Sequence, residues 1–447
     1  MLNPQRRRLA GLAGIAWGSS VLCAVAGPWA QAQAQPSQQR PRVLRMAWWG
    51  GAGRHAATLK ALALFEQRNP GVKVKAEYMG FNGYLERLTA QVAGGSEPDV
   101  MQINWAWLAM FSKRGNGFTD LQPHAARLPL AQFTPDDLAF GRVQGKLNAL
   151  PVSYTARILL WNAATFSKAG VALPDTWESL FASGEALTQA LGQEHYALDG
   201  ELYDMMLLAQ TFVQQQFGLP YVHPQEPRVA FTHEAAQLWV QTYRQLVKRR
   251  VCTPLPLRAS LGGAEKPTEQ QRDWTLGQWA GNYTWDSVIA LRGSTLQPGQ
   301  RLAIGHFPMR TGATDSGMFG RPSLMYAVGR NCTQPELAAS LIAHLLADPD
   351  AARLLGRTRG VPAAREPFEA LVGAGALPPL ELKAYQQIQQ QRRSPMGITL
   401  PNPLFEHARL HRFMREVFET VAYNKTSDVE AARRLLDEGN TLLKRIR

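Results

Sequence analysis

From Val43 onward the chain alternates short apolar runs with stretches of helical spacing. Val43–Trp48 is a β-type run, broken by Gly50-Gly51-Ala52-Gly53. Arg54–Arg68 then sets Ala57, Leu59, Leu62 and Phe65 near helical spacing, predicting a helix that stops at the turn Asn69-Pro70-Gly71. Val72–Tyr78 alternates Val72, Val74 and Ala76 with Lys73, Lys75 and Glu77, the pattern of a half-exposed strand. Tyr84–Ala93 reads as a second helix, stopped by Gly94-Gly95, and Asp99–Asn104 as a third strand. This βαβαβ order predicts an α/β fold with a mostly parallel sheet and flanking helices. Further on, Ala156–Trp161, Leu302–Phe307 and Leu324–Val328 are strand-like. Residues 174–250 are helix-rich, Pro335–Ala347 is a helix, and Leu404–Arg447 holds two or three amphipathic helices. There is no internal repeat.

Composition narrows the class. With 447 residues, 45% hydrophobic and 19% charged, the chain is an ordinary globular protein rather than a disordered, collagen-like or coiled-coil one. Three cysteines exclude a disulfide-built scaffold. The start, MLNPQRRRLAGLAGIAWGSSVLCAVAGPWAQAQAQ, joins Arg6-Arg7-Arg8 to the apolar stretch Leu9–Ala26 and the small-x-small sites Ala30-Gln-Ala32 and Ala32-Gln-Ala34. That is the pattern of a bacterial export signal, residues 1–34, and predicts a soluble periplasmic protein. Cleavage there removes three arginines, so the net charge falls from +13 to +10. Lys and Arg are scattered rather than striped, which argues against nucleic acid. In an exported protein a basic balance fits anionic small molecules or polysaccharide. Cys252 and Cys332 remain, and they can pair only if the fold brings their Cα atoms within about 7 Å.

Chemistry-bearing motifs are missing. There is no phosphate-binding G-x-x-x-x-G-K-[ST], no H-E-x-x-H, no G-x-S-x-G and no C-x-x-C. No cofactor or metal is expected. What the chain has instead is a concentration of aromatic and polar residues at predicted strand ends, where open α/β sheets bind ligands. Strand one ends in Trp48, Trp49 and Gly50, followed by Arg54 at a helix start; strand two is followed by Tyr84; strand three ends in Asn104, Trp105 and Trp107. Flat rings cover the apolar faces of a sugar, and Asn, Asp and Arg bind its hydroxyls. The combination recurs in Tyr154, Arg157, Tyr283, Trp285, Asp286 and Arg321. Arg321 lies between turn residues, and its guanidinium matches a carboxylate with a two-pronged fork. For any one tryptophan, core burial is the competing reading.

These residues carry a family resemblance over nearly all of the mature chain. The blocks are Phe65-Glu-x-x-Asn-Pro-Gly-Val-Lys-Val with Tyr84–Val100, then Leu150-Pro with Trp161–Gly170 and Pro174-Asp-Thr-Trp177, then the Gly320 strand with Pro335–Ile342 and Gly360-Val-Pro362. In this order they resemble the extracellular solute-binding proteins, family 1, of carbohydrate ABC importers. Trp161 stands where that family usually has Tyr. Trp48-Trp-Gly-Gly-x-x-Arg-His55 with Val100–Trp105 looks like the branch that includes oligogalacturonide-binding proteins. The resemblance implies a two-lobed, hinge-connected periplasmic binding protein fold of type II-like order. Lobe one would be 42–152 plus 304–330 and lobe two 153–303 plus 331–447, crossing near Ser153, Ile304 and Arg330. It implies a monomer that captures an oligosaccharide, performs no chemistry and docks on membrane permease subunits. The alternative from another class is an exported carbohydrate-active enzyme, hydrolase or lyase, with Asp286, Arg321 and Tyr283 as its acid–base candidates.

Overall fold

The computed structural model describes residues 41–393 and 399–446, and the predicted export signal lies outside them. Nine strands are present among the described residues: β1 (Arg42–Trp49), β2 (Val72–Met79), β3 (Val100–Ile103), β4 (Arg142–Val143), β5 (Lys146–Leu147), β6 (Ala149–Asn162), β7 (Gly281–Trp285), β8 (Leu302–Ile304) and β9 (Gly320–Val328). The predicted βαβαβ unit forms: β1 pairs in parallel with both β2 and β3, and the Ala52–Arg68 and Tyr84–Ala93 helices connect them. Its helix ends follow local chemistry. Asn69 closes the first helix, its backbone N–H donating to Glu66 O, and Gly94 closes the second.

The rest of the sheet is antiparallel. β9 pairs with β3, β6 with β9, and β7 and β8 with β6, so the main sheet runs β2-β1-β3-β9-β6-β7 with β8 also on β6. β6 is the long member, fourteen residues and all of them buried. Sequence reading found only its second half, Ala156–Trp161, because Ala149–Tyr154 lacks the period-2 alternation of a half-exposed strand. The first half pairs with β9 and the second with β7 and β8, so this strand joins two halves of the molecule. The β6–β9 ladder slips register on both sides of Ser153, where one lobe crossing was expected. Ser153 also bridges to Pro362, and Ala363 N donates to Val152 O at 3.0 Å.

The buried apolar side chains form one continuous cluster from Leu44 to Ile446. The stretch 331–447, expected in the second lobe, packs in two places. The Pro335–Ala347 and Pro349–Leu355 helices lie on the Ala52–Arg68 helix: His344 Nε2 is 2.9 Å from Ala61 O, and Arg68 Nη1 donates to Asp348 Oδ2 at 2.6 Å. The Ala408–Ala422 and Asp428–Ile446 helices instead pack on His233–Lys248, beyond the other end of β6. Among the described residues no helix is long and apolar enough to cross a membrane. Cys252 and Cys332 are both free; burial pushes both thiols up, Cys332 to about 12.

Candidate functional site

The strand ends open onto two cavities. One, about 390 Å³, is lined by Trp49 and Arg54 after β1, by Arg357 and Arg359, by Tyr154 and Thr155 of β6, and by Asp286 just past β7. The other, about 630 Å³, is lined by Asn104, Trp107 and Lys113 on one side and by Tyr203, Arg321, Glu406, His407 and His411 on the other. They flank the β6–β9 ladder: Thr155 lines the first and its partner Arg321 lines the second. Trp49 and Trp107 form the opposite wall, with ring centroids 5.2 Å apart. Both volumes are in the range of ordinary small-ligand sites. A larger groove, about 920 Å³, lies between Phe133–Asp137 and the Pro379–Arg393 helix and shares only Tyr154 with these walls.

The predicted residues divide between cavity and core. Trp49, Arg54, Tyr154 and Asp286 line the first cavity, and Asn104, Trp107 and Arg321 the second. Trp48 does not. Successive strand side chains point to opposite faces, so Trp48 turns inward, fully buried, with its Nε1 donating to His55 Nδ1 at 3.1 Å and its ring stacked on Tyr78. Trp105 is 1% exposed and donates Nε1 to Phe140 O at 3.2 Å. Tyr84 and Tyr283 are buried; Tyr84 donates to Gln102 O at 2.9 Å, behind Trp49. Gly50 packs against the Arg54 side chain. Arg157 is buried, its Nη1 2.6 Å from Asp204 Oδ1. Trp285 stands between two guanidiniums: its ring centroid is 4.5 Å from Arg157 Cζ and 4.8 Å from Arg321 Cζ. Arg157, Trp285 and Tyr283 therefore form a layer behind the second cavity.

Sequence reading missed Arg357, Arg359, Tyr203, Lys113, His407 and His411. A signal existed for the arginines, which immediately precede Gly360-Val-Pro362, a block already noted. Of the others, Tyr203 and His411 project from helices whose spacing shows amphipathicity and nothing more, Lys113 lies in a turn, and His407 caps the start of a helix.

Electrostatics in the first cavity are basic, with Arg54, Arg357 and Arg359 against Asp286 and Glu381. Burial pushes the Arg54 guanidinium down to about 10, and the nearby Arg359 charge adds to that shift. Burial likewise lowers Arg359. Asp286 goes the other way: burial pushes its carboxyl up to about 6 against the hydrogen bonds it accepts from Thr155 Oγ1 (2.5 Å) and Ala156 N (3.1 Å). In the second cavity burial lowers His407 and His411, and Arg321 Nε lies 2.7 Å from Glu406 Oε2. Among the described residues no group of His, Cys, Asp and Glu is arranged to hold a metal.

A mixed α/β fold whose strand ends face a cleft lined from two halves, with tryptophan rings and guanidiniums side by side, defines a ligand-binding protein of the two-lobed periplasmic type. The model of the bacterial extracellular solute-binding protein family matches residues 51–352, and the chain belongs to that family. The chain is similar to a periplasmic oligogalacturonide-binding protein from Yersinia enterocolitica, with 34% identity, TM-score 0.83, and coverage of 90% of this chain and 99% of that one. A periplasmic oligogalacturonide-binding protein from Yersinia enterocolitica in complex with saturated digalacturonic acid is similar too, with 34% identity and TM-score 0.77. A de novo designed cysteine esterase shares the fold at TM-score 0.86 and 34% identity, covering 91% of this chain and 100% of that one. A curated relative from Brucella abortus is 30% identical over 133 residues, 30% of this chain; the match spans 32% of that relative's length.

Proposed function

We propose that the protein is the periplasmic substrate-binding component of a carbohydrate ABC importer. It captures an oligosaccharide bearing uronic acid in the cleft between its halves and hands it, as a monomer, to membrane permease subunits. The observation that carries this reading is a cleft in which tryptophan faces stand beside guanidiniums in excess over carboxylates. Rings suit the apolar faces of pyranoses, and the excess positive charge suits sugar carboxylates. The digalacturonic acid bound by the Yersinia relative has both features. The predicted leader, residues 1–34, supports export to the periplasm.

Capture would proceed by closure of the halves about β6, the ligand favouring the closed form because both halves touch it. The register slip around Ser153 supports a hinge there. The enzyme alternative is weaker. Of its three candidates, Tyr283 is in the core, Arg321 faces Glu406, and Asp286 is held by Thr155 and Ala156. The related esterase is a design.

The test is a thermal-shift screen of residues 35–447 against galacturonate oligomers and neutral oligosaccharides, with product analysis after incubation. Ligand at about 100 times its Kd adds about 2.7 kcal/mol, a rise of about 3 °C for a unit of this size. A shift with galacturonides and unchanged sugar is the expected result. A shift with neutral sugars alone refutes the uronide, and new reducing ends or unsaturated products refute the pure binder.

A further inference from the structure

Five arginines line or adjoin the two cavities, and they are not equivalent. Three are matched by a carboxylate: Arg157 Nη1 lies 2.6 Å from Asp204 Oδ1, Arg321 Nε lies 2.7 Å from Glu406 Oε2, and Arg357 pairs with Glu381. Arg54 and Arg359 meet no carboxylate among the described residues. Arg54 donates from Nε to Thr358 O at 2.8 Å and from Nη1 to Trp49 O at 3.0 Å. Arg359 donates from Nε to Gln102 Oε1 and from Nη2 to Thr58 Oγ1, both at 2.9 Å. It is 5% exposed, and its Nη1 is buried with no partner.

Both unmatched guanidiniums line the same 390 Å³ cavity, beside Trp49. Buried charge without a counter-charge is costly, and a neighbouring like charge adds to the cost. Neutral oxygens hold these two side chains in place but leave their charge uncancelled. Burial and mutual repulsion both act to lower the Arg54 pKa. An arriving carboxylate relieves both costs at once. At Arg321 it gains much less, because Glu406 already neutralises that guanidinium and repels a second anion.

We propose that Arg54 and Arg359 form the subsite that reads a sugar carboxylate and so set the preference for charged over neutral ligands, while Arg321 does not. The proposal rests on the uronide reading above and adds to it the place where the charge is recognised. A ring stacked on Trp49 would present its carboxylate to this pair, and hydroxyl recognition falls to the polar groups of the second cavity.

The experiment is calorimetric titration with digalacturonic acid and with its uncharged dimethyl ester. The proteins are wild type, Arg54→Gln, Arg359→Lys and the double variant Arg321→Gln/Glu406→Gln, which removes an ion pair without changing net charge. Melting curves first establish that each is folded. Arg54 is only half-buried, so Arg54→Gln keeps the test decisive where a buried Arg359 variant fails to fold. Wild type should prefer the acid. Arg54→Gln should lose at least tenfold in affinity for the acid and less than threefold for the ester, so that the preference collapses. Arg359→Lys keeps the charge but not the fork and should lose part of it, whereas the Arg321/Glu406 double variant should keep the wild-type ratio. A folded Arg54→Gln with the wild-type acid-to-ester ratio overturns the subsite and leaves the function standing, as does a double variant that abolishes the ratio. Equal binding of acid and ester by wild type, or binding of neither, overturns the uronide reading and this subsite with it.

Discussion

Asp286 allows the electrostatic picture of the cleft to be tested through stability alone. Its carboxyl sits just past β7 and accepts from Thr155 Oγ1 and Ala156 N on β6, yet burial holds its pKa at about 6, against an ordinary value of 3.8. The folded value lies above the unfolded one. The stabilising contribution is therefore complete below about 3.8 and is lost as pH rises through about 6. Near pH 7 the ionised carboxylate costs the fold roughly two pKa units, or about 3 kcal/mol. The side chain is only partly buried, so solvent screening brings that to about 1–3 kcal/mol.

Asp286→Asn keeps an acceptor oxygen for Thr155 and Ala156 and removes the charge. The variant should be more stable than wild type at pH 7.5 by about 1–3 kcal/mol, or about 1–3 °C in Tm, and equal to it near pH 4. Urea unfolding of both proteins at pH 4, 5, 6 and 7.5 measures this, and the informative quantity is their difference, in which all other titrating groups cancel. The same change should tighten digalacturonate binding at pH 7.5 by about tenfold, because it removes an anion facing the Arg54–Arg359 cavity. A stability difference that does not vary with pH, or an Asn variant less stable at pH 7.5, would refute the claim that this carboxylate is held against its own desolvation.

Other positions give sharper structural outcomes. Trp105→Ala should cost about 3–5 kcal/mol of stability, seen as a loss of urea midpoint, because Trp105 is a core residue rather than a ligand contact. Arg258→Met leaves Asp199, fully buried and 2.9 Å from Arg258 Nε, without its counter-charge; the expected loss is about 3–5 kcal/mol at pH 7, shrinking in acid as Asp199 protonates. Gly141→Ala drives a Cβ into the Ala149 carbonyl oxygen at the start of β6 and should destabilise by more than 1 kcal/mol in the same assay. Thiol titration of the native protein should modify Cys332 slowly and Cys252 only after unfolding, and reductant should leave Tm unchanged.

How much the sequence disclosed follows from which interactions are local. The Tyr84–Ala93 and Pro335–Ala347 helices were legible to the residue because glycine or proline marks an end of each. The βαβαβ unit was legible because β2 alternates and its turns are short. β6 was half-hidden because both its faces are buried, which erases alternation. At the strand ends the sequence names residue types but not the direction in which each side chain points. Trp48 and Trp49 are adjacent and chemically identical, and only the pleat decides that one stacks in the core while the other faces the cavity. Arg321 and Arg359 likewise look alike in a sequence. Their difference is a partner 85 residues away for Arg321, Glu406, and the absence of one for Arg359. Pairing across such separations has no local signal.

The same strand that joins the halves also touches the ligand space. Tyr154 and Thr155 line the first cavity one and two residues beyond the register slip at Ser153, and Thr155 ties β6 to Asp286 on the far half. Across the cavity, Arg54 holds the Thr358 carbonyl and Arg359 holds Gln102 and Thr58, so the Arg357–Gly360 segment is fastened to the β1–β3 half. That segment continues to Pro362 and Ala363, which pair with Ser153 and Val152 at the register slip, the proposed hinge. A carboxylate taken up by the two arginines would thus act on a segment covalently continuous with the hinge strand's own partner. Under the proposed closure, charge recognition and movement of the halves would share one short piece of backbone. Closure should accordingly be driven more strongly by acidic ligands than by neutral ones of equal size, a difference that small-angle scattering of the two complexes would register as a smaller radius of gyration for the acid.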